Sequence, residues 1–167
     1  FHLDTEKNSK IVTVHDALEK LRSFCAYQER CHQDVWKKLK TYGLSQNENE
    51  HILLLLIQGG YLNEERFTEA FVSGKVTIKK WGRALIKAKL RERGIRDSLI
   101  TSVMSSIDKA VYFENLTHLC NYKNTLIKES NTQKRKFKLA QYLLSKGYES
   151  NLIWEVINDL FDESDSE

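Results

Sequence analysis

Between Lys75 and Arg96 the chain carries Lys75, Lys79, Lys80, Arg83, Lys87, Lys89, Arg91, Arg93 and Arg96 against Glu92 alone. Lys80, Arg83, Lys87 and Arg91 are spaced by three and four residues. On a helix that puts them on one face, roughly opposite Ile78, Trp81, Leu85 and the Ile86–Leu90 edge. Lys79, Lys89 and Arg93 widen the stripe. Such a face can meet phosphates or an acidic protein groove, or it can be an ordinary solvated helix face. Nothing comparable points to catalysis. Cys25, Cys31 and His32 form a C-x5-C-H spacing that matches no zinc pattern, and Cys120 stands apart. Asn63, Glu64 and Glu65 suit the positive end of a helix dipole better than acid–base work. No Gly-rich phosphate loop, HExxH or nucleophile motif occurs, so the expected catalytic, metal and cofactor sets are all empty.

The elements that would position these cations read as helices. Proline is absent, and proline breaks helices. A cassette of Leu, three residues, Gly and an apolar or aromatic residue occurs three times, at Leu39–Leu44, Leu90–Ile95 and Leu143–Tyr148. Each copy has the pattern of a helix ending on a left-handed Gly, with the next residue folding back on the last turn. The glycines stand 51 and 53 residues apart, a period that signals a copied supersecondary unit. Nine and thirteen residues after them stand Ile52 and Leu56, Val103 and Ile107, Val156 and Leu160.

Three helices per unit follow. The first unit's apolar positions are Ala17, Leu18, Leu21, Phe24 and Cys25, then Val35, Trp36 and Leu39, then Ile52, Leu53, Leu56 and Ile57, with Ser45 and Glu48 as a capping box. In the second, Phe67, Ala70 and Phe71 mark a helix expected to end near Gly74. Ile78 to Leu90 mark the next, and Asp97 is expected to cap a third carrying Leu99, Ile100, Val103 and Ile107. The third unit uses Tyr112 to Cys120, then Phe137, Leu139, Ala140 and Leu143, then, after a Ser150 or Asn151 cap, Leu152 to Leu160. The expected fold is all-α, about nine helices in three tandem three-helix repeats, elongated and curved. The expected boundaries are a flexible segment 1–13, repeats 14–60, 61–110 and 111–162, and an acidic tail 163–167.

The second helices hold the other basic clusters, Lys37, Lys38 and Lys40 in the first unit and Lys134, Arg135, Lys136 and Lys138 in the third. If the units stack alike, the three clusters line one side. The formal charge of +3 hides this asymmetry, because Asp159–Glu167 holds only acids. The longest apolar run, Ile52–Ile57, is too short for a membrane span. Three cysteines without a signal peptide read as reduced thiols, which sets the expectation of a cytoplasmic monomer. The start at Phe1 reads as loss of an upstream segment.

The middle unit is the diagnostic one. Gly60-Tyr61-Leu62-Asn63-Glu64-Glu65-Arg66-Phe67-Thr68-Glu69-Ala70-Phe71 is followed by Lys80-Trp81-Gly82-Arg83-Ala84-Leu85-Ile86 and by Leu90-Arg91-Glu92-Arg93-Gly94-Ile95. In order and spacing this resembles the RecX family of regulatory proteins, with Thr68 where the family usually has Ala. The resemblance implies a bacterial protein whose three-helix repeats are helix-turn-helix-like, which binds the RecA recombinase filament, restrains its ATP hydrolysis and strand exchange in recombination and repair, and is no enzyme. On that reading the basic residues Lys79, Lys80, Arg83, Lys87, Arg91, Lys134, Arg135, Lys138, Lys37 and Lys40 are the expected surface for the recombinase, with nonspecific contact to single- or double-stranded DNA.

The motif residues Arg66, Phe67, Phe71, Trp81, Gly82, Leu90, Gly94 and Ile95 read mainly as structural. Gly82 either starts a helix or admits a close approach. Arg66 either pairs with Glu65 or Glu69, caps a neighbouring helix, or binds a partner. The rival reading is an independent helix-turn-helix DNA-binding protein. It requires cations on the third helices, where the sequence offers only Lys109 at one end.

Overall fold

The computed structural model describes residues 12–164. Most of the expected flexible segment 1–13 and residues 165–167 of the acidic tail lie outside the described residues. The described residues form nine α-helices and no strands: α1 Val14–Tyr27, α2 His32–Lys40, α3 Gln46–Gln58, α4 Glu64–Thr77, α5 Arg83–Glu92, α6 Asp97–Met104, α7 Lys109–Leu126, α8 Thr132–Ser145 and α9 Ser150–Ser164. They fall into two compact units, 1–67 and 68–167.

In the first unit α1, α2 and α3 pack together. Their core is Ala17, Leu21, Val35, Leu39, Ile52 and Leu56, with Cys25 and Leu62 at its margins. Local chemistry fixes the helix starts. Thr13 and Asp16 form a capping box on α1, and Ser45 and Glu48 form the expected one on α3.

In the second unit α7, α8 and α9 enclose Tyr112, Leu116, Cys120, Leu139, Leu143, Ile153 and Ile157. Ile86, Leu90, Ile95, Ile100 and Val103 are buried along α5 and α6. The cassettes behave as their spacing requires. Gly43, Gly94 and Gly147 have φ of 71°, 76° and 93°. At the latter two the following amide returns to the first residue of the cassette, Ile95 N–H to Leu90 O at 3.1 Å and Tyr148 N–H to Leu143 O at 3.3 Å.

Several expected boundaries and faces move. α4 passes through Gly74 to Thr77. A helical glycine costs only about 1 kcal/mol, and burial of Val72 and Val76 outweighs it. The left-handed residue that closes α4 is Lys80, at φ 52°, with Trp81 N–H bonded back to Lys75 O at 2.9 Å. The next helix therefore starts at Arg83, with extended Gly82 as its N-cap. Ile78, left in the connection, is 77% exposed. Ile57, Ala70 and Phe137, expected inside, are also exposed. Asp97 is the first residue of α6 rather than its cap, its carboxylate instead binding Arg91 Nε at 2.8 Å, and the helix stops at Met104, which leaves Ile107 beyond its end.

Candidate partner-binding surface

The expected four-cation stripe does not survive as one helix face, because Lys80 precedes α5. Its carbonyl accepts from the Tyr148 hydroxyl at 2.6 Å, and its ammonium lies 3.5 Å from Asn115 Oδ1. Asn115 is buried but satisfied, its amide donating to Val76 O at 2.9 Å.

Arg83 is likewise turned inward. Its guanidinium pairs with Glu149 at 3.0 Å and lies 3.9 Å from the Tyr112 ring centroid. The Tyr112 hydroxyl accepts from the Arg83 N–H at 3.0 Å and donates to Glu149 at 2.7 Å. Burial first, then the hydrogen bond to Glu149, pushes the Tyr112 phenol above its usual range. Arg83 thus serves a joint between the start of α5 and the α8–α9 turn.

Glycines make that joint possible. A Cβ on Gly82 would lie 2.2 Å from Gly147 C and 2.3 Å from Gly147 O. Two backbone bonds cross the contact, Gly82 N–H to Lys146 O at 2.7 Å and Ala84 N–H to Gly147 O at 3.0 Å. The two sequence alternatives for Gly82 are both realised, since it caps α5 and admits the close approach.

Arg135 is also committed internally. It donates to Asn124 Oδ1 at 2.7 Å, to Ile127 O at 2.9 Å and to Glu129 O at 2.8 Å, with a further bond to Asn124 O. A planar five-donor fork suits this collection of loop carbonyls. Arg66 pairs with Glu29 at 3.0 Å and donates to Gly60 O at 2.7 Å, so it caps the end of α3 instead of pairing with Glu65 or Glu69.

The motif aromatics are packing residues, two of them, Phe71 and Trp81, held under cations. Phe67 is buried. Lys75 lies 5.1 Å from the Phe71 centroid and 4.7 Å from that of Trp81, and Arg93 lies 5.5 Å from Phe71. Leu90 and Ile95 are buried, and Gly94 is the left-handed helix end.

What remains outward is a smaller set. Lys37 and Lys40 are exposed on α2, and Lys37 contacts only Gln33 at 3.2 Å. Lys79 is exposed in the α4–α5 connection, Lys87 is half-buried on α5, and Arg91 is exposed while sharing Asp97. Lys134 is exposed on α8, and Lys138 beside it reaches Glu129 at 3.4 Å. Such surface pairs contribute about 0–1 kcal/mol and leave a cation available.

The third helices α3, α6 and α9 carry no Lys or Arg. Lys109, expected at the end of the second unit's third helix, instead begins α7. The third helices therefore lack the Arg and Lys that make the commonest major-groove base contacts, and offer amide donors such as Asn47 instead. Among the described residues no group of three His, Cys, Asp or Glu is placed to hold a metal. All three cysteines are buried, and burial pushes the Cys120 thiol up to about 11. No helix is long and apolar enough to cross a membrane among the described residues. Sequence reasoning missed Tyr112, Asn115, Glu149 and Asn124, whose roles depend on partners 11 to 66 residues away.

Comparison with known proteins agrees with this architecture. The family model for the second three-helix domain of RecX matches residues 63–104, and that for its third three-helix domain matches 110–157. Regulatory protein RecX of Streptococcus uberis is 28% identical over 146 residues, covering 86% of this chain and 55% of its own. That of Clostridioides difficile is 27% identical over 151 residues, covering 89% and 71%. The chain thus spans about half the length of the Streptococcus uberis relative and of several Bacillus cereus relatives. The crystal structure of RecX from Lactobacillus salivarius superposes with a TM-score of 0.78 at 20% identity, over 88% of this chain and 96% of that one, a likeness of fold. A second crystal structure, of a regulatory protein RecX, gives 0.76 at 25% identity over 87% and 73%. With the two domain models together matching more than half of its residues, the chain belongs to the RecX family of regulatory proteins.

Proposed function

We propose that this chain is a non-enzymatic regulator that binds the RecA recombinase filament on DNA and restrains its ATP hydrolysis and strand exchange during recombination and repair. Within this reading the chain acts as a cytoplasmic monomer, organised as three-helix repeats at 14–60, 61–110 and 111–162. The observation that carries it is the placement of charge. Exposed cations lie on α2, α5 and α8 and in the connection before α5, while α3, α6 and α9 have none. A protein built to read duplex sequence needs the opposite distribution. Several weakly binding patches on one chain gain affinity together when a repeating partner presents matched sites. Inhibition then follows from occupancy of the filament, without chemistry by this chain.

The test is ATP hydrolysis by the host recombinase on single-stranded DNA, titrated with this protein. Lys87→Glu combined with Arg91→Glu is expected to raise the half-inhibitory concentration about tenfold or more. Unchanged inhibition by that variant removes the α5 cations from the contact. No effect of the unmodified protein, together with tight sequence-selective duplex binding, overturns the reading in favour of an independent DNA-binding protein.

A further inference from the structure

Phe137 is an anomaly of this molecule. The other described phenylalanines are buried or half-buried. Phe71 and Phe161 lie under cations, with Lys136 5.1 Å from the Phe161 centroid. Phe137 alone among them is left 58% exposed, midway along α8. Its surroundings are consistent in character. Lys134 precedes it by one helical turn and Lys138 follows it directly, while Gln133 and Gln141 stand one turn to either side. These five residues line one shallow depression. All are exposed, and α8 contains no carboxylate. The inward face of the helix is Leu139, Ala140 and Leu143, so the Phe137 ring is surplus to the core.

An exposed aromatic ring flanked by ammonium groups, of which Lys138 also reaches the loop carboxylate of Glu129 at 3.4 Å in an exposed pair that a phosphate can displace, is complementary to a ligand that is both flat and anionic. An unpaired nucleobase with its phosphates has both properties, and base–aromatic stacking tolerates any sequence. Duplex DNA keeps its bases stacked internally and offers this ring no face. An acidic protein groove would satisfy the lysines but needs a separate apolar pocket for the ring, whereas a nucleotide supplies both features in one unit. We propose that Phe137 is a stacking platform for a base of single-stranded DNA, with Lys134 and Lys138 on the adjacent phosphates and the Gln133 and Gln141 amides at the base edges. This deepens the reading of the protein as a regulator of a DNA-bound recombinase, and rests on that reading for its biological setting.

The experiment measures binding of the 167-residue chain to a fluorescein-labelled dT20 and to a blunt 20-base-pair duplex by anisotropy, over a range of salt. Phe137→Ala is expected to weaken binding to dT20 by about tenfold, within the range for one stacked base, while leaving duplex binding within twofold. Phe137→Tyr keeps the ring and is expected to bind dT20 as the parent does. Lys134→Gln with Lys138→Gln is expected to reduce the salt slope on dT20 by about 1.4, two contacts at roughly 0.7 each. Because Phe137 is exposed, the variants should match the parent in thermal unfolding.

Equal dT20 affinity for the parent and Phe137→Ala overturns the proposal, as does a Phe137→Ala loss that is the same on duplex, or no dT20 binding by the parent at low salt. Recombinase ATPase assays separate the two readings. Stacking without any effect on the recombinase sinks the regulatory reading alone, and inhibition unaltered in a Phe137→Ala variant that has not lost dT20 sinks the stacking platform alone.

Discussion

Gly82→Ala places one methyl group where the structure has no room. The added Cβ would stand 2.2 Å from Gly147 C, 2.3 Å from Gly147 O and 2.4 Å from Tyr148 N. Carbon needs about 3.5 Å to another carbon, so the start of α5 must move off the α8–α9 turn by more than an ångström. The obstruction is backbone, and no rotamer change relieves it. The displacement stretches the Gly82–Lys146 and Ala84–Gly147 bonds, at 2.7 and 3.0 Å, and pulls the Tyr148 hydroxyl from Lys80 O.

Each such bond contributes about 1 kcal/mol net, and the half-exposed Arg83–Glu149 pair adds at most about 1. The expected loss is therefore about 3–4 kcal/mol, a large part of a typical total stability of roughly 5–15 kcal/mol. Urea denaturation followed by circular dichroism measures it, and amide exchange locates it. Protection should fall in α5 and at the α8–α9 turn while α1 to α3 keep theirs. Gly147→Ala should cost at least as much, since its Cβ would meet Leu85 at 2.5 Å and its φ is 93°. The double variant should lose less than the sum of the singles, because both break one joint. Gly74→Ala is the control. It is helical with nothing within 4 Å of the added methyl, and should stabilise by about 0.5–1 kcal/mol. A Gly82→Ala loss below about 0.5 kcal/mol would refute the reasoning.

Arg135→Lys keeps the charge but loses the fork that holds Asn124, Ile127 and Glu129. Thermal unfolding should show a loss of about 1–3 kcal/mol. Lys80→Gly relieves a left-handed lysine but takes its ammonium from the buried Asn115 Oδ1, so the two effects, each about 1 kcal/mol, should nearly cancel in urea denaturation. The thiols should be silent in the folded protein. Iodoacetamide at pH 8 should label Cys25, Cys31 and Cys120 only as fast as the chain opens, and rapid labelling of Cys120 would contradict its burial. Because the Cys120 pKa rises from 9.0 to about 11 on folding, its contribution to stability is full below pH 9 and is lost as pH climbs toward 11. Urea midpoints between pH 8.5 and 10.5 test the sign, with a Cys120→Ala variant showing a weaker decline.

Much of the architecture is legible in the chain because its signals are local. A left-handed glycine after a leucine, or Ser45 three residues before Glu48, encodes a helix end within one turn. The six apolar positions after the cassette glycines all turn inward, fully at Ile52, Leu56, Val103 and Val156 and partly at Ile107 and Leu160. Gly74 misleads because helix propensity is a weak preference that packing of Val72 and Val76 overrides. Phe137 misleads because hydrophobicity reports what a residue tolerates, and the α8 core face is already filled by Leu139, Ala140 and Leu143.

The candidate surface was far less legible than the helices. Lys79, Arg83, Lys87, Lys134 and Arg135 look alike in sequence, and all are cations on or beside second helices. Sequence by itself determined the helix ends that the glycine cassettes and the Ser45 capping box encode, which family motif the middle carries, and that positive charge avoids the third helices. Only the tertiary structure decided which cations are spent inside. Arg83 is consumed by Glu149 and Tyr112, and Arg135 by the carbonyls of a loop, while Lys134 stays exposed and Lys87 half-buried. The physical reason is range. Capping and periodicity act across one turn of chain, whereas an ion pair such as Arg83–Glu149 joins residues 66 apart and exists only once the fold brings them together.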